Sequence, residues 1–405
     1  MNTGSRIRAK QGTNLGGANA HNRRVVIDAL RVNGPLSRAE LARATHLTGQ
    51  TVSNLVADLT DAGLVVSGAP VRIARGQPAI PYRLVATGAF ALGVQIDRHC
   101  TRVVVVDLLG HDILRLDAPL PDGGPDTGLP IIAGLVDTAC RRLEELHPGA
   151  RSRLVGLGLA MPGPFGIAGA EDDPWMMSAW QNRPTVEELS SATGFDVALQ
   201  NDAAAAAAAE KLSGAARGLD DFVYLYFGYG LGAGIFVRGE IHTGHHRNAG
   251  EIGMALPFLA EQRTGEPIEH VASLAGLCRR LRIDPSLPDL FSAIEQAVAS
   301  GAADTWLDDA ATRLLWVVQV VETLLDPETI VFGGAAPAAL LDALRARMTS
   351  LLPSHVDRPG RTLPRLTPGR ADPWMVAIGA GAESIARRFD PRFSAIQNGS
   401  PQTQD

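Results

Sequence analysis

The sequence predicts an α/β protein in two parts, a small basic head of helices with a β-wing and a larger acidic body. Residues 1–85 contain 11 Lys and Arg against 4 Asp and Glu, whereas the whole chain has 37 against 43. From Ala89 onward, apolar strands alternate with Ala-rich helices, which is typical of α/β architecture. A length of 405 residues predicts two or three domains. A basic head on an acidic body is expected when only the head meets a polyanion.

Composition excludes several classes of protein. No run of about 18 uncharged apolar residues is present, so the sequence predicts no membrane span. The N-terminal MNTGSRIRAK is followed by no apolar stretch of the kind found in a secretory signal. Cys100, Cys140 and Cys278 lie far apart, which favours reduced thiols and a cytoplasmic location over disulfides or a zinc site.

The head is predicted to span 21–86, after a Gly- and Asn-rich start at 1–20 that we expect to be disordered. Helical spacing of apolar residues predicts a first helix over 21–33. Ser37 and Glu40 match a capping box, which opens a short second helix near 38–45. A third helix is predicted over about 48–61.

The third helix carries the candidate DNA-reading face. Its apolar positions fall on one side, and short polar side chains able to reach base edges fall on the other. These polar residues are Gln50, Thr51, Ser53 and Asn54. Two extended segments, 64–67 and 81–85, flank a loop containing Arg75, Gly76, Gln77 and Pro78. The order of elements resembles the winged helix-turn-helix of bacterial regulators. The resemblance implies that Arg75, Gly76 and Gln77 of the wing bind DNA, with Arg75 in the minor groove. A small helical bundle with a solvated polar face is the alternative.

Six segments follow one another in the body. They are LGVQIDRHCTRVVVVD at 92–107, VGLGLAMPGPFG at 155–166, ALQNDAAAAAAAE at 198–210, VYLYFGYGLGAGIFVRGEIHTG at 223–244, NAGEIGMA at 248–255 and IVFGGAAP at 330–337. Together they resemble, over nearly all of 89–390, the ROK family of repressors, open reading frames and sugar kinases. The resemblance implies an actin-like (ribonuclease H-like) fold in two lobes, and the head indicates the repressor branch. We expect a disordered tail at 391–405.

The phosphate-binding residues of the family's kinases are changed here. The kinases carry Asp-x-Gly-Gly-Thr, where bare backbone cradles phosphate and the acid helps to hold the metal. The matching positions are Gln95, Asp97, Arg98 and His99. In the second phosphate loop, Tyr229 replaces a small hydroxyl residue and would crowd a triphosphate. The sequence therefore predicts no kinase activity and no ATP or Mg²⁺ as cofactor, although Gly333 and Gly334 remain in the segment that faces adenosine in the kinases.

The sugar-binding residues of the family are better preserved. The resemblance assigns sugar contacts to Asn201, Asp202, Glu251 and Glu269, with Asp202 in the place of the kinase's general base. Without ATP, Asp202 can still hold a hydroxyl through a charge-assisted hydrogen bond, so we predict sugar-binding residues but no catalytic ones. The alternative is that Asn201 and Asp202 only cap the Ala-rich helix after them.

Two further features of the family are missing. Met254 stands where the family has a His that contacts sugar and zinc, and the cysteine-rich zinc segment is replaced by LPFLAEQRTGEPIE. The sequence therefore predicts no metal site, and we interpret His242, His245, His246 and His270 as loop histidines. Trp180 could stack on a sugar face or serve packing.

These features predict a transcriptional regulator, most simply a repressor of carbohydrate genes, in which a sugar or sugar derivative controls binding to double-stranded operator DNA. Two DNA half-sites require two heads, so we expect a homodimer or a dimer of dimers. One alternative is an ATP-dependent hexose kinase with an added DNA-binding head. Another is a regulator controlled by a protein partner without a small ligand. The sequence does not identify the sugar, the operator or the sign of regulation.

Overall fold

The computed structural model describes most of the chain in two compact units. The described residues are 15–71, 79–98, 100–121, 123–166, 177–256, 266–287, 289–350 and 359–392. One unit, the head, comprises Met1–Gly88 together with Ala386–Asp405, and the other, the body, comprises Ala89–Ile385. Within the described ranges, no helix is both long and apolar enough to cross a membrane.

Three helices form the head: α1 (Leu15–Asn33), α2 (Arg38–Thr45) and α3 (Gly49–Asp61). Their apolar faces meet in a small core, made of Val26, Ile27, Leu30, Leu41, Val52, Leu55, Val56 and Leu59. The predicted capping box is confirmed, because the Ser37 hydroxyl accepts from the Glu40 amide and the Glu40 carboxylate accepts from the Ser37 amide. The predicted cap of α3 is also confirmed, since the Thr48 hydroxyl accepts from the Thr51 amide.

The start of α1 differs from the prediction. The helix begins at Leu15, so residues 15–20 are helical rather than disordered as predicted, and 1–14 lie outside the described residues. Extending an existing helix fixes one residue for each new hydrogen bond, and Ala18 and Ala20 are strong helix formers. The two glycines at 16 and 17 concealed this extension in the sequence pattern.

A three-stranded antiparallel sheet completes the head. The predicted wing strands are β2 (Val65–Ser67) and β3 (Pro81–Leu84), and a short β1 (Leu36–Ser37), which the sequence pattern did not reveal, pairs with β3 on its other side. Val71 and Ala79 form an isolated bridge beyond β2. The predicted wing residues Arg75, Gly76 and Gln77 lie outside the described residues.

The first lobe of the body is built on a five-stranded sheet. Its strands are β4 (Phe90–Ile96), β5 (Cys100–Asp107), β6 (Asp112–Pro119), β7 (Leu154–Met161) and β8 (Val197–Asn201), in the order β6-β5-β4-β7-β8. Three helices belong to it: α4 (Pro125–Leu146), α5 (Met177–Gln181) and α6 (Thr185–Thr193). The strands β4 to β6 are antiparallel, and β7 and β8 are parallel to β4.

The second lobe repeats this plan. Its strands are β9 (Phe222–Phe227), β10 (Leu231–Val237), β11 (Glu240–Ile241), β12 (Thr329–Gly334) and β13 (Leu366–Ala371), in the order β11-β10-β9-β12-β13. Its helices are α8 (Leu274–Leu281), α9 (Leu290–Ala299), α10 (Asp304–Leu325) and α11 (Ala338–Ser350). Helix α7 (Asp202–Ser213) starts at the end of β8 in the first lobe, and α12 (Met375–Phe389) lies on β4 and β7 of that lobe. Both sheets follow the order third, second, first, fourth, fifth, which is the duplicated topology expected of the predicted two-lobed fold.

The end of the chain returns to the head. Helix α12 runs to Phe389, and of the tail predicted at 391–405 the structure describes Pro391 and Arg392. The side chain of Arg392 forms an ion pair with Asp390 at 2.8 Å. Both residues belong to the head unit.

Candidate functional site

Asn201 and Asp202 lie where β8 passes into α7. Asn201 caps the helix, because its Oδ1 accepts from the amides of Ala203 at 2.8 Å and Ala204 at 3.4 Å. Asn201 therefore does cap the helix, but whether it only caps the helix stays untested. The cap does not exclude a ligand role, since the Nδ2 of the same side chain donates to Oε1 of Glu251 at 3.0 Å.

Glu251 and Glu269 approach this helix start from the other lobe. The loop that carries Glu251 lies on β10, where the Ala233 amide donates to the carbonyl of Gly250 at 2.8 Å. Glu269 sits in a helical turn, and its Oε2 accepts from the Leu231 amide at 3.3 Å. We call Asn201, Asp202, Glu251 and Glu269 the polar cluster. The structure brings all four residues together, as the sequence predicted, although their role in sugar binding stays a prediction.

The carboxyl groups of the polar cluster influence each other's pKa values. Burial raises the pKa of Asp202 to about 6; the charge of Arg98 and the Ala203 amide oppose this rise, while Asp97 and Glu269 add to it. Burial also raises the pKa of Glu251 to about 7, and the charges of Asp202 and Glu269 contribute to it. At neutral pH the cluster therefore holds a proton part of the time, so it can both donate to and accept from a hydroxyl-rich ligand.

A turn after β7 closes one side of the polar cluster. A side chain at Gly163 would meet Oε1 of Glu251 at 2.2 Å and Nδ2 of Asn201 at 2.7 Å, so this turn packs directly against the pair. Asn248 holds the turn with two hydrogen bonds, accepting from the Phe165 amide at 2.8 Å and donating to its carbonyl at 2.9 Å. Asn248 is a site residue that no pattern in the sequence predicted, because its partner Phe165 lies 83 residues away.

A cavity opens beside this turn. It has a volume of about 390 Å³ and is lined by Phe165, Gly166, His246 and Asn248. Pockets for small ligands commonly measure about 300–1,000 Å³. The space is therefore sufficient for a ligand of sugar size; its lining includes the turn that packs on Glu251 and Asn201 but none of the four polar-cluster residues.

Side chains fill the region that the family resemblance predicts to be the phosphate site. The guanidinium of Arg98 lies 4.8 Å from the centre of the Tyr229 ring and 3.5 Å from Oδ1 of Asp97. Arg102 lies 3.5 Å from Oδ2 of Asp97 and donates to Oε1 of Gln95 at 3.2 Å. These contacts join the β4–β5 hairpin to the loop between β9 and β10. His99 lies outside the described residues.

The surviving glycine pair has a packing role. A side chain on Gly334 would meet the carbonyl oxygen of Phe227 at 2.1 Å, and its φ of +147° lies in the region that favours glycine. A side chain on Gly333 would meet the carbonyl oxygen of Arg370 at 2.7 Å. Close approach of β12 to its neighbours therefore explains both glycines without a nucleotide.

Trp180 serves packing. It is fully buried, its indole N–H donates to the carbonyl of Gly123 at 2.6 Å, and its ring packs against Gly128 of α4. Of the two alternatives left by the sequence, stacking on a sugar is wrong because no face of the ring reaches solvent.

Histidines lie near the polar cluster, and the ring centres of His245 and His246 are 4.6 Å apart. Among the described residues, no group of three or more His, Cys, Asp and Glu side chains could hold a metal ion. Most of the segment that replaces the family's zinc-binding region, 257–265, lies outside the described residues.

In the head, α3 presents the predicted DNA-reading side chains at its N-terminal end. Gln50 and Asn54 are exposed and hydrogen-bonded to each other at 3.0 Å, and Ser53 is half-buried beside them. Thr51 contacts the cap, with 2.8 Å between its hydroxyl and that of Thr48. Gln50 and Asn54 are thus the more available of the four, while their contact with bases stays a prediction.

A winged helix-turn-helix head followed by a two-lobed body of the actin-like sugar-kinase type defines the class of this protein. The chain belongs to the ROK family, whose model matches residues 92–379. A model of the MarR family matches residues 25–72, within the head.

Individual relatives agree with this classification. The chain is 25% identical over 330 residues to a transcriptional regulator of Mycobacterium tuberculosis, covering 77% of this chain and 74% of that one. It is 22% identical over 242 residues to the xylose repressor of Bacillus subtilis, covering 58% and 61%. A solved ROK family transcriptional regulator, a homolog of the Escherichia coli MLC protein, superposes with a TM-score of 0.66 at 20% identity, covering 94% of this chain and 100% of that one.

Proposed function

We propose that this protein is a transcriptional regulator whose head binds operator DNA and whose body binds a sugar or sugar derivative that changes the DNA affinity. One observation carries the proposal. The polar cluster is assembled in the body against a turn that also lines a cavity, and Arg98 and Tyr229 contact each other where the family resemblance predicts the kinase phosphate site. Such a body can bind a polyhydroxy ligand without transferring a phosphoryl group to it.

The relatives support both halves of the proposal. One is named a transcriptional regulator and another a xylose repressor, which links this family to a sugar and to repression. The head supplies a helix with exposed polar side chains, and the basic balance of residues 1–85 favours contact with phosphates. We expect a cytoplasmic homodimer or dimer of dimers, because two heads are needed for two half-sites.

Sugar binding can be tested by thermal unfolding of the purified full-length protein with mono- and disaccharides and their phosphates, each with and without Mg-ATP. A ligand that binds only the folded state raises the unfolding temperature. We expect one sugar to do so, and Mg-ATP alone to have no effect. Asp202→Asn should abolish the sugar's effect, whereas the matched control Asp308→Asn, on the exposed surface of α10, should preserve it. Absence of any shift across the panel would contradict the sugar-binding half.

DNA binding needs a second experiment. Selection from random duplexes should enrich one sequence, whose affinity for the protein then changes when the identified sugar is added. Turnover of ATP with any sugar in the panel would instead favour the kinase alternative. Unchanged operator affinity with every sugar would favour control by a protein partner.

A further inference from the structure

Helix α12 belongs to both compact units. Its residues up to Ile385 are part of the body, and those from Ala386 are part of the head. The helix is one continuous element of 15 residues. A continuous helix is one of the elements that can carry energetic coupling between two sites.

The first part of α12 is packed too closely for independent movement. A side chain on Gly93 of β4 would meet the carbonyl oxygen of Ala377 at 1.9 Å, and one on Gly158 of β7 would meet that of Ala380 at 1.8 Å. The helix backbone therefore lies directly on the glycines of two central strands.

The same part of α12 contacts the helix that starts in the polar cluster. A side chain on Gly379 would meet the carbonyl oxygen of Ala205 at 1.6 Å. Ala205 lies one turn of α7 beyond Asp202, the first residue of that helix. A ligand that shifts the start of α7 must therefore shift or strain the contact between α7 and α12.

The end of α12 is fastened in the head by a group of charged side chains. Asp390, which is only 6% exposed, lies 2.8 Å from Arg392 and 3.8 Å from Arg31 of α1. Arg31 also pairs with Asp28 of the same helix. About 11 residues separate Gly379 from Asp390, a length of roughly 16 Å along a helix.

The charge of Asp390 compensates the guanidinium groups around it. Burial acts to raise its pKa, but the hydrogen bonds and charge of Arg392, with the charge of Arg31, hold the pKa below its ordinary value. Arg24 of α1 is also in range of the Asp390 charge, and its Nη1 is buried with no hydrogen-bond partner among the described residues. Removing the Asp390 charge would leave these guanidinium groups with too little compensation.

We propose that α12 carries the state of the polar cluster to α1 of the head, and that Asp390 is the positioning residue that fastens α12 to α1. The inference rests on the proposed function, since it describes how a bound sugar changes DNA affinity. It requires no contact between the ligand and the head.

Hydrogen–deuterium exchange of the full-length protein tests the connection without any ligand. Gly379→Ala disturbs the contact with Ala205 and should speed amide exchange in α7 and also in α1, each by about tenfold or more. Asp390→Asn should speed exchange in α1 but not in α7. In the double variant, Asp390→Asn with Gly379→Ala, exchange in α1 should be no faster than in Asp390→Asn alone. Faster exchange in α7 with α1 unchanged in Gly379→Ala would overturn the proposal.

Matched controls are present in the chain. Gly134→Ala adds a methyl group to α4 that meets no atom within 4 Å, and Asp342→Asn removes an exposed acid paired with Arg345. Neither should alter exchange in α1. If Gly379→Ala does not fold, Gly381→Ala replaces it, with exchange in α1 as the readout, because its methyl group meets Cγ2 of Val106 at 2.8 Å and the backbone nitrogen of Gly93 at 3.4 Å and so disturbs the packing of α12 on the body.

A second experiment distinguishes a failure of the role of Asp390 from a failure of the proposed function. With a sugar identified by thermal unfolding, Asp390→Asn should bind that sugar normally but lose the sugar's effect on operator affinity. An unaltered effect would overturn the role of Asp390 and leave the proposed function intact. If no sugar stabilises the protein, the proposed function fails, while the exchange experiment still decides whether α12 connects α7 to α1.

Discussion

The side-chain amide of Asn201 donates to Oε1 of Glu251 at 3.0 Å, while its oxygen caps α7. One side chain thus joins the end of a strand in the first lobe to a loop on the second. This bond holds two predicted ligand residues together. The cap and the bond can be separated by substitution.

The first prediction concerns this pair. Asn201→Ala loses both the cap and the bond, and should cost about 1–2 kcal/mol of stability, as loss of a helix cap usually does. Asn201→Asp keeps an acceptor for the Ala203 amide but adds a carboxylate beside Glu251. We expect Asn201→Asp to be close to wild type at pH 5 and clearly less stable at pH 8. Urea unfolding at the two pH values measures both effects.

Equal stability of Asn201→Ala and Asn201→Asp at every pH would contradict this account, because the second carboxylate would then have no effect. Thr193→Val is a suitable control, since Thr193 bonds only within α6 and its surrounding turn. Its effect should not vary between pH 5 and pH 8.

The second prediction concerns pH and Glu251. Its pKa in the folded protein is raised to about 7, by burial first and then by Asp202 and Glu269. The folded state therefore binds a proton more tightly than the unfolded state does, so stability is highest below the unfolded pKa and falls as pH rises towards 7. Glu251→Gln should remove part of that slope and make the protein about 1–2 kcal/mol more stable at pH 8.

Urea unfolding of wild type and Glu251→Gln from pH 4 to pH 8 tests this sign. Asp202, with a pKa raised to about 6, titrates in the same cluster, so part of the slope should remain in the variant. If Glu251→Gln is destabilised equally at all pH values, burial and the neighbouring acids do not disfavour the charged form of Glu251.

The third prediction concerns the filled phosphate region. Arg98→Gly with Tyr229→Thr removes the guanidinium and the ring that now lie 4.8 Å apart. We expect Mg-ATP to raise the unfolding temperature of this double variant but not that of wild type. No sugar should be phosphorylated, because Gln95 cannot replace the acid that helps to hold the metal.

Arg141→Gly with Thr349→Ala, two substitutions on the exposed faces of α4 and α11, serves as a control with the same number of changes. A thermal shift of the wild-type protein with Mg-ATP would contradict the blockage by Arg98 and Tyr229. Phosphorylation by the double variant would show that Gln95 is not the missing group.

The parts of the fold that could be predicted are those formed by contacts within short segments of the chain. Ser37 and Glu40 satisfy backbone groups within one helical turn, and the hairpin of β4 and β5 joins neighbouring segments, so both could be inferred from short stretches of sequence. The polar cluster joins Asn201 to Glu251, 50 residues away, and could be inferred only through the resemblance to a family.

Other features depend on contacts between residues far apart in the chain, which no local sequence pattern indicates. Trp180 looks like any exposed aromatic in sequence, and only Gly123 and Gly128, more than 50 residues earlier, make it a buried packing residue. Nothing in the sequence around Asp390 indicated that it pairs with Arg31 of α1, which lies near the opposite end of the chain.

The fourth prediction concerns the DNA-reading face of α3. Gln50 and Asn54 are exposed and hydrogen-bonded to each other at 3.0 Å, so either can turn to a base edge without losing a buried contact. Asn54→Ala should weaken binding to the selected operator by about 1–3 kcal/mol and relax the preference at one base pair. Asp58→Asn, one turn further along the same exposed face, should leave that preference unchanged. Fluorescence anisotropy with the operator and its single-base variants measures both. If Asn54→Ala weakens binding to all duplexes equally, Asn54 contacts the backbone and the bases are read by other residues.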